Sequence, residues 1–204
     1  WMVTQNNARV TNSMEKWIRL SKLIDAENFA RKRHKHQIRK NKILTPYSDH
    51  LEKVVEILKN LGITDENILA AGWLHDTIED TDTDYDDILE LSDKETADIV
   101  ATLSKDTRMV RDKREIDYCK HLKEGTWQAQ VVKFADMLAN LEDLENSLYS
   151  SLDRVKQAQN KVEYFDSIKV GLENNKKNIP NFDSQIKRLS DVFLQYGVEI
   201  NSKS

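Results

Sequence analysis

The chain has 204 residues, 32% of them charged, and a formal net charge of −4. A chain of this length can bury a core without disulfides, and its mildly acidic balance argues against general nucleic-acid binding, which favours a basic surface. Its one cysteine, Cys119, leaves no internal disulfide and fits a reducing cytosol. No apolar run is long enough for a transmembrane helix, and the first residues do not resemble a signal peptide. We therefore expect a cytoplasmic protein that neither spans a membrane nor binds nucleic acid.

Apolar residues at helical spacing, with only 5 glycines and 2 prolines, predict an all-α fold. The polar segment 1–13 is predicted to be disordered, and a long first helix follows from Met14 to about Arg39. After a loop containing Pro46, a second helix ends at a C-terminal cap on Gly62. The polar and basic segment 104–114 predicts a mobile loop. The other predicted helices cover residues 65–81, 84–91, 93–103, a segment that stops near Gly125, 126–145, about 151–173 and 182–196.

The helices are expected to form one main domain over residues 14–150. The helices of segment 151–204 would pack on the same domain. Because this C-terminal segment shows no evident chemistry, it would cover the core or provide an oligomer surface. The sequence is therefore compatible with a homo-oligomer.

The segment 65–81, DENILAAGWLHDTIEDT, predicts the functional centre. Its apolar residues indicate a buried amphipathic helix, in which Trp73 is expected to belong to the core. A buried imidazole beside carboxylates is costly unless a metal ion or proton chemistry uses it. Residues four positions apart lie one turn apart, so one pair here can bind a cation while the other handles water. The ionisable side chains near the end of this helix are His75, Asp76, Glu79 and Asp80.

Two other helices carry polar side chains that can pack towards this centre. The first contains His34 and Gln37 in the pattern H-x-x-Q-x-R, and the 126–145 helix carries Asp136 and Asn140 on one face. Two imidazoles and two carboxylates form a mixed nitrogen and oxygen ligand set that suits Mn²⁺, Fe²⁺ or Zn²⁺. Carboxylates just outside such a set can position or deprotonate a water molecule.

Together these motifs resemble those of the metal-dependent HD phosphohydrolase superfamily, and within it the hydrolase domain of RelA/SpoT proteins and the small alarmone hydrolases. The resemblance covers roughly residues 20–150 and implies an HD-domain helical bundle with additional C-terminal helices. The matching segments, in the family's order, are HKHQIR (34–39), PYSDH (46–50), LHDTIEDT (74–81) and VKFADMLANL (132–141).

The resemblance implies a role for each matching residue. The implied metal ligands, usually occupied by Mn²⁺, are His34, His75, Asp76 and Asp136. Glu79 and Asp80 match the pair that activates water. Arg39 and Asn140 match groups that contact the nucleotide or its phosphates, and Tyr47 would line the base pocket. A mobile basic segment near the pyrophosphate would contribute Lys105, Arg108, Lys113 and Arg114.

The activity that the resemblance implies is hydrolysis of the 3′-pyrophosphate of guanosine tetra- or pentaphosphate, giving GDP or GTP and pyrophosphate. Long family members often place a guanine-stacking arginine nine residues before the ligand histidine, where this chain has Asp25. The base therefore stays open, and (p)ppApp hydrolysis, a nucleotidase acting on dNMPs and an NADPH or nucleotide 2′/3′-phosphatase are alternatives. A further alternative, a non-catalytic nucleotide or RNA binder, is suggested by the seven Lys or Arg residues within 31–42.

Three other histidines are predicted to play no catalytic part. His50 follows the Pro-Tyr turn, and we expect it to make a structural hydrogen bond there, although it matches a family histidine. His36 lies two residues after His34 and therefore points elsewhere on the helix. His36 and His121 are both predicted to lie on the surface.

Overall fold

A computed structural model describes residues 22–200 of the protein, and within that range the regular structure is helical, without a β-strand. The prediction of an all-α fold is therefore confirmed. The predicted disorder of 1–13 and the predicted helix start at Met14 lie outside the described residues. The first helix, α1, occupies described residues 22–33. The others are α2 (Tyr47–Asn60), α3 (Glu66–Leu74), α4 (Thr77–Asp80), α5 (Tyr85–Leu91), α6 (Lys94–Leu103), α7 (Arg111–Glu124), α8 (Trp127–Asp143), α9 (Ser151–Asn174) and α10 (Phe182–Gln195).

Helix α3 lies at the centre of the fold, against α2, α6 and α8. All of its residues from Ile68 to Leu74 are buried, including Trp73, whose predicted core position is confirmed. Its N-terminus is capped by the Asp65 side chain, which accepts a hydrogen bond from the Asn67 backbone N–H at 2.8 Å. The core therefore surrounds α3, and His75 lies at the C-terminal end of this helix.

The predicted helix 65–81 is two helices. Asp76, between α3 and α4, has φ −98° and ψ −4°, outside regular helical geometry and in the region where many active-site residues lie. The Thr77 hydroxyl donates to the Leu74 carbonyl at 2.6 Å across the break. This bend turns His75 and Asp76 towards α2 and α8 instead of continuing the helical register.

The first helix also ends earlier than predicted, at residue 33 rather than near Arg39. Residues 34–36 form a turn, and an irregular segment leads from there to α2. This segment pairs with itself through a bridge between Ile38 and Pro46, and with the end of the α8 region through a bridge between Asn41 and Ser147. Gly62, just past the C-terminal cap of α2, has φ +83°, as expected of a glycine that ends a helix.

Helix α9 packs against α7 and α8, and α10 packs against α8. The predicted division of the chain at residue 150 stays a prediction. Across residues 22–200, no helix combines the length and apolarity needed to cross a bilayer.

Candidate metal and nucleotide site

A compact group of potential metal ligands lies where α2, α8 and the α3–α4 junction meet. His50, His75 and Asp76 each offer a ligand atom, and these atoms lie within 4.8 Å of one another. Asp136 on α8 completes the group, since its Oδ1 lies 3.3 Å from His50 Nε2 and 3.6 Å from His75 Nε2. We call these four residues the ligand cluster.

The hydrogen bonds around the cluster fit a bound cation. His75 Nδ1 lies 2.9 Å from the Gly72 carbonyl oxygen, and since a carbonyl only accepts, this nitrogen carries the proton and leaves the Nε2 lone pair facing the carboxylates. Among the described residues, His75 Nε2, both ring nitrogens of His50 and His34 Nε2 are buried and have no hydrogen-bond partner. Buried polar atoms are rarely left unpaired, and a divalent ion beside Asp136 would satisfy the Nε2 atoms of His50 and His75 together.

Electrostatics point the same way. Burial alone would raise the pKa of Asp136, but the Lys133 ammonium and the two cluster imidazoles hold it well below its usual range. Burial would lower the pKa of His75, yet Asp76 and Asp136 outweigh it and raise this pKa to about 10. The cluster therefore attracts positive charge, which a divalent ion would supply in place of a proton. Burial lowers the pKa of His50, which keeps its imidazole neutral and able to act as a ligand.

Glu79 and Asp80 lie beside the cluster, on the short helix α4. Burial raises the pKa of both carboxyls above the ordinary value, and Asp76 adds to the effect. The Lys105 backbone N–H donates to Glu79 Oε2 at 3.1 Å. The Tyr47 hydroxyl donates to Asp76 Oδ2 at 2.6 Å and lies 3.3 Å from Asp80 Oδ2. Carboxylates with raised pKa values, held in place next to a cation site, are suited to general base work.

Two cavities meet at this site. The inner cavity, of about 190 Å³, is lined by the cluster residues His75, Asp76 and Asp136 and by Glu79 and Asp80. The outer cleft, of about 530 Å³, is lined by residues that include Ile38, Arg39, Leu141, Leu144, Tyr149 and Gln157. Four residues line both: Tyr47, Asp80, Asn140 and Lys161. A small charged cavity thus adjoins a larger cleft whose walls carry both polar and apolar side chains.

Arg39 marks the boundary of the outer cleft. Its guanidinium donates to Asn140 Oδ1 at 3.0 Å and to Asp143 Oδ2 at 3.3 Å. It also lies 5.7 Å from the centre of the Tyr47 ring. Asn140 in turn donates to Asp136 Oδ1 at 2.5 Å, so a chain of hydrogen bonds joins the cleft wall to the ligand cluster.

A group of lysines gives the inner cavity a positive side. The ammonium groups of Lys105, Lys133 and Lys161 lie 5.0, 4.7 and 5.2 Å from the centre of the Tyr164 ring. Lys105 is paired with Glu115 at 3.0 Å and Lys133 with Asp136 at 2.9 Å. Among the described residues Lys161 has neither a carboxylate partner nor a hydrogen bond. Its burial, together with the charges of Lys133 and Lys105, lowers its pKa to about 8.

Comparison with known proteins agrees with this arrangement. A family model described as HD domain matches residues 26–170. The chain belongs to the HD-domain family. It is 31% identical over 179 residues to guanosine-3′,5′-bis(diphosphate) 3′-pyrophosphohydrolase MESH1 of Danio rerio, an alignment that covers 87% of this chain and 96% of the relative. The human MESH1 is 36% identical over 128 residues, which is 61% of this chain and 70% of that protein.

Solved structures show the same fold. A structure described as a metazoan orthologue of SpoT that hydrolyses ppGpp superposes with a TM-score of 0.71 at 27% identity, covering 86% of this chain and 96% of that one. A Listeria monocytogenes protein superposes with a TM-score of 0.56 at 25% identity, covering 73% of this chain and 96% of its own. The predicted resemblance to HD-domain alarmone hydrolases is confirmed.

In this HD domain, the histidine that lies beside His75 and the carboxylates is not the one predicted from the sequence. The structure brings His75, Asp76 and Asp136 together as predicted, but it puts His50 in the cluster and leaves His34 out of it. The face of the Tyr47 ring stacks on the His34 ring, with centroids 4.8 Å apart. His50 also lacks the structural hydrogen bond predicted for it. The family-like PYSDH segment was the available signal for His50.

The predicted basic segment reaches the site at one residue only. Lys105 lines the inner cavity. Arg108 is 89% exposed at its side chain and is paired with Asp106 at 2.8 Å. Lys113 and Arg114 lie on α7 and line neither cavity.

Lys133, Lys161 and Tyr164 had not been singled out from the sequence. Lys133 precedes Asp136 by three residues on α8, a spacing that places both on one face and could have pointed to it. Nothing local marks Lys161, because it lies on α9, where the sequence showed no chemistry.

Proposed function

We propose that this protein is a metal-dependent phosphohydrolase that removes pyrophosphate from the 3′ position of (p)ppGpp-type nucleotides, giving GDP or GTP and pyrophosphate. The observation that carries the proposal is the inner cavity, whose lining includes three of the four cluster residues (His75, Asp76 and Asp136), the Glu79–Asp80 pair and a positive side. The 31% identity to a relative named for this reaction, over 96% of that relative, supports the choice of substrate.

The proposed metal ligands are His50, His75, Asp76 and Asp136, with His50 in place of the His34 predicted from the sequence. Two neutral imidazoles and two carboxylates suit Mn²⁺, and other divalent transition metals have related preferences. When bound, such an ion lowers the pKa of a water molecule and polarises a phosphoryl oxygen.

Glu79 and Asp80 would orient the attacking water and accept its proton. Lys105 fixes the direction of the Glu79 carboxylate through its backbone N–H. Tyr47 fixes Asp80 relative to the neighbouring ligand Asp76. Because both carboxyls have raised pKa values, each can hold a proton more readily than an exposed carboxylate, which helps a general base.

The substrate would lie across both cavities. Lys161 and Lys105 would bind the pyrophosphate, since Lys161 has no competing carboxylate among the described residues and lines both cavities. The nucleoside would occupy the outer cleft, between Arg39 and the apolar wall that includes Tyr149.

The Asp25 position gives no information about the base once His50 is the ligand. Nine residues before His50 lies Asn41, and Arg39 precedes it by two. Arg39 borders the outer cleft, whereas Asp25 lies exposed on α1. Arg39 could therefore stack on a purine in the outer cleft. The nucleotide assay described below distinguishes guanine from adenine.

The basic run 31–42 offers less to RNA than its composition suggests. Arg31 is paired with Glu27 and Glu52, both at 2.9 Å, and Arg33 with Asp87 at 3.6 Å. Arg39 is engaged in the site. Three of the seven basic residues of this run are therefore paired with carboxylates within the protein, which favours an enzyme over a non-catalytic binder.

Product analysis tests the proposal. The protein is incubated with ppGpp, ppApp or NADPH, each with Mn²⁺ and with EDTA. Release of pyrophosphate from ppGpp in the Mn²⁺ samples alone is expected. Release of pyrophosphate from ppApp instead would identify an adenine nucleotide as the substrate. Release of one phosphate from NADPH alone would make the protein a phosphatase and refute the pyrophosphohydrolase.

We infer a cytosolic location from the single cysteine, since proteins of oxidising compartments commonly use disulfides. Fractionation of cells that express the natural protein tests this. Homo-oligomerisation stays a prediction.

A further inference from the structure

The H-x-x-Q-x-R segment forms the turn that follows α1, and the ligand cluster makes no use of its histidine. We propose that His34 and Gln37 form a positioning pair that holds Tyr47 and Asp80 in place beside Asp76, and that His34 does not bind the metal ion. The catalytic part of this inference rests on the proposed function.

Hydrogen bonds define the orientation of both side chains. Gln37 Nε2 lies 2.7 Å from the backbone carbonyl of Asp80. Because a carbonyl only accepts, the amide nitrogen must face Asp80, and Oε1 must face His34 Nδ1, which is 2.7 Å away. An amide oxygen also only accepts, so His34 Nδ1 carries the proton. The pair is therefore a directed chain from His34 through Gln37 to Asp80.

The backbone of Gln37 extends this chain to a third segment. Its N–H donates to the His34 carbonyl at 2.9 Å, and its own carbonyl accepts from the Tyr47 N–H at 3.0 Å. Gln37 thus joins the end of α1, the start of α2 and the end of α4. Loss of its side chain would remove the bond to the Asp80 carbonyl and leave the Tyr47 hydroxyl as the contact between Asp80 and the start of α2.

The His34 ring acts on Tyr47 directly. The two rings are stacked, with centroids 4.8 Å apart and planes 18° apart, and Tyr47 meets His50 edge-on at 5.7 Å. The Tyr47 hydroxyl reaches Asp76 at 2.6 Å and Asp80 at 3.3 Å. One phenol therefore contacts a proposed ligand and a proposed base, and His34 fixes the plane of that phenol.

Three variants separate the contacts. His34→Phe keeps a ring over Tyr47 and loses the Nδ1 donor, whereas His34→Asn keeps a donor and loses the ring. Gln37→Met keeps the side-chain length and loses both hydrogen bonds of the side-chain amide. Exposed His36, two residues away, provides the control His36→Asn.

Each of the three variants is expected to bind one Mn²⁺ per chain by titration calorimetry, with a Kd within about threefold of the wild type. We expect kcat with ppGpp to fall roughly 10–100-fold, the usual effect of removing a group that orients a metal-site residue, with little change in KM. The double variant His34→Phe/Gln37→Met should be no slower than Gln37→Met alone, because both changes break the same chain. His36→Asn should match the wild type throughout. Thermal unfolding monitors whether each variant is folded, and a merely structural role would not lower kcat while leaving KM and Mn²⁺ binding intact.

Loss of Mn²⁺ binding in folded His34→Phe and His34→Asn, as expected for His50→Ala, would make His34 a ligand and overturn the inference. Unchanged kcat in Gln37→Met would overturn it as well. If the wild type binds Mn²⁺ but hydrolyses no nucleotide, the proposed function fails. The Mn²⁺ titrations of the His34 and His50 variants would still decide whether His34 belongs to the ligand set, so the two failures are distinguishable.

Discussion

The inner cavity and the outer cleft differ in how firmly their walls are held. In the inner cavity, Asp136 accepts hydrogen bonds from Lys133 and Asn140, and Asp76 accepts one from Tyr47. The outer cleft is bordered by side chains with few partners, such as Ile38 and Tyr149, which are 59% and 47% exposed. The part of the site suited to chemistry is therefore preorganised, whereas the part suited to a base depends on a few loosely held contacts. Substitutions should accordingly affect turnover in the first region and substrate choice in the second.

The largest effect is expected for His50→Ala. It removes one of two imidazoles whose unpaired nitrogens face the carboxylates, and the remaining three side chains would bind the ion weakly. Mn²⁺ titration and ppGpp hydrolysis should both fall to the level of EDTA-treated wild type. His121→Ala, at a side chain that is 59% exposed, is the control and should keep both. Full Mn²⁺ binding by His50→Ala would refute the ligand cluster.

Glu79→Gln should distinguish metal binding from activation of the attacking water. The ligand cluster is intact in this variant, so Mn²⁺ should bind normally, while kcat falls about 10²–10⁴-fold because the general base is lost. In the wild type, kcat should rise with pH as Glu79 and Asp80 lose their protons, and since their pKa values are raised, this rise should lie above the ordinary carboxyl range. Glu90→Gln, at an exposed residue of α5, is the control. Full activity of Glu79→Gln would exclude it as the base.

The residues changed in these two variants, Glu79 and His50, were not equally predictable from the sequence. Glu79 was predicted because it shares one short segment with His75, Asp76 and Asp80, so local spacing was sufficient. The choice between His34 and His50 was not decided by local spacing, because both precede α3 and the packing that stacks Tyr47 on His34 and sets it edge-on to His50 appears only in the fold.

The helical fold was also predictable from local sequence, because the spacing of apolar residues indicates each helix separately. The break at Asp76 was not, because it depends on what α3 and α4 pack against. Lys161 lies far along the chain from the rest of the site, and only the packing of α9 on α8 brings it there.

Lys161 connects the two cavities, and Lys161→Met should have an intermediate effect. A hydrogen bond to a charged group contributes about 1.5–3 kcal/mol, so kcat/KM for ppGpp should fall roughly 10–100-fold, with Mn²⁺ binding unchanged. Lys156→Met on the same helix, where the side chain is 60% exposed, should have no effect. An equal loss in both variants would point to a general charge effect instead of a contact.

The same lysine predicts a pH dependence. With a pKa of about 8, Lys161 is protonated below that pH and binds phosphate well, and it loses its charge as the pH rises above it. KM for ppGpp should therefore increase between about pH 7.5 and 9.5. Lys161→Arg, whose guanidinium stays charged throughout that range, should flatten the increase. A KM that rises equally in both proteins would assign the pH dependence to another group.

The smallest effect is expected in the outer cleft, for Tyr149→Ser. Stacking of a base on an aromatic ring contributes about 1–3 kcal/mol, and because Tyr149 is half exposed we expect the low end of that range, about a fivefold rise in KM. Since Tyr149 does not line the inner cavity, kcat and Mn²⁺ affinity should not change. Tyr149→Phe keeps the ring and should behave as the wild type. If Tyr149→Ser instead lowers kcat and leaves KM unaltered, the outer cleft does not hold the base, and the contrast between a fixed chemical chamber and an adaptable recognition cleft fails.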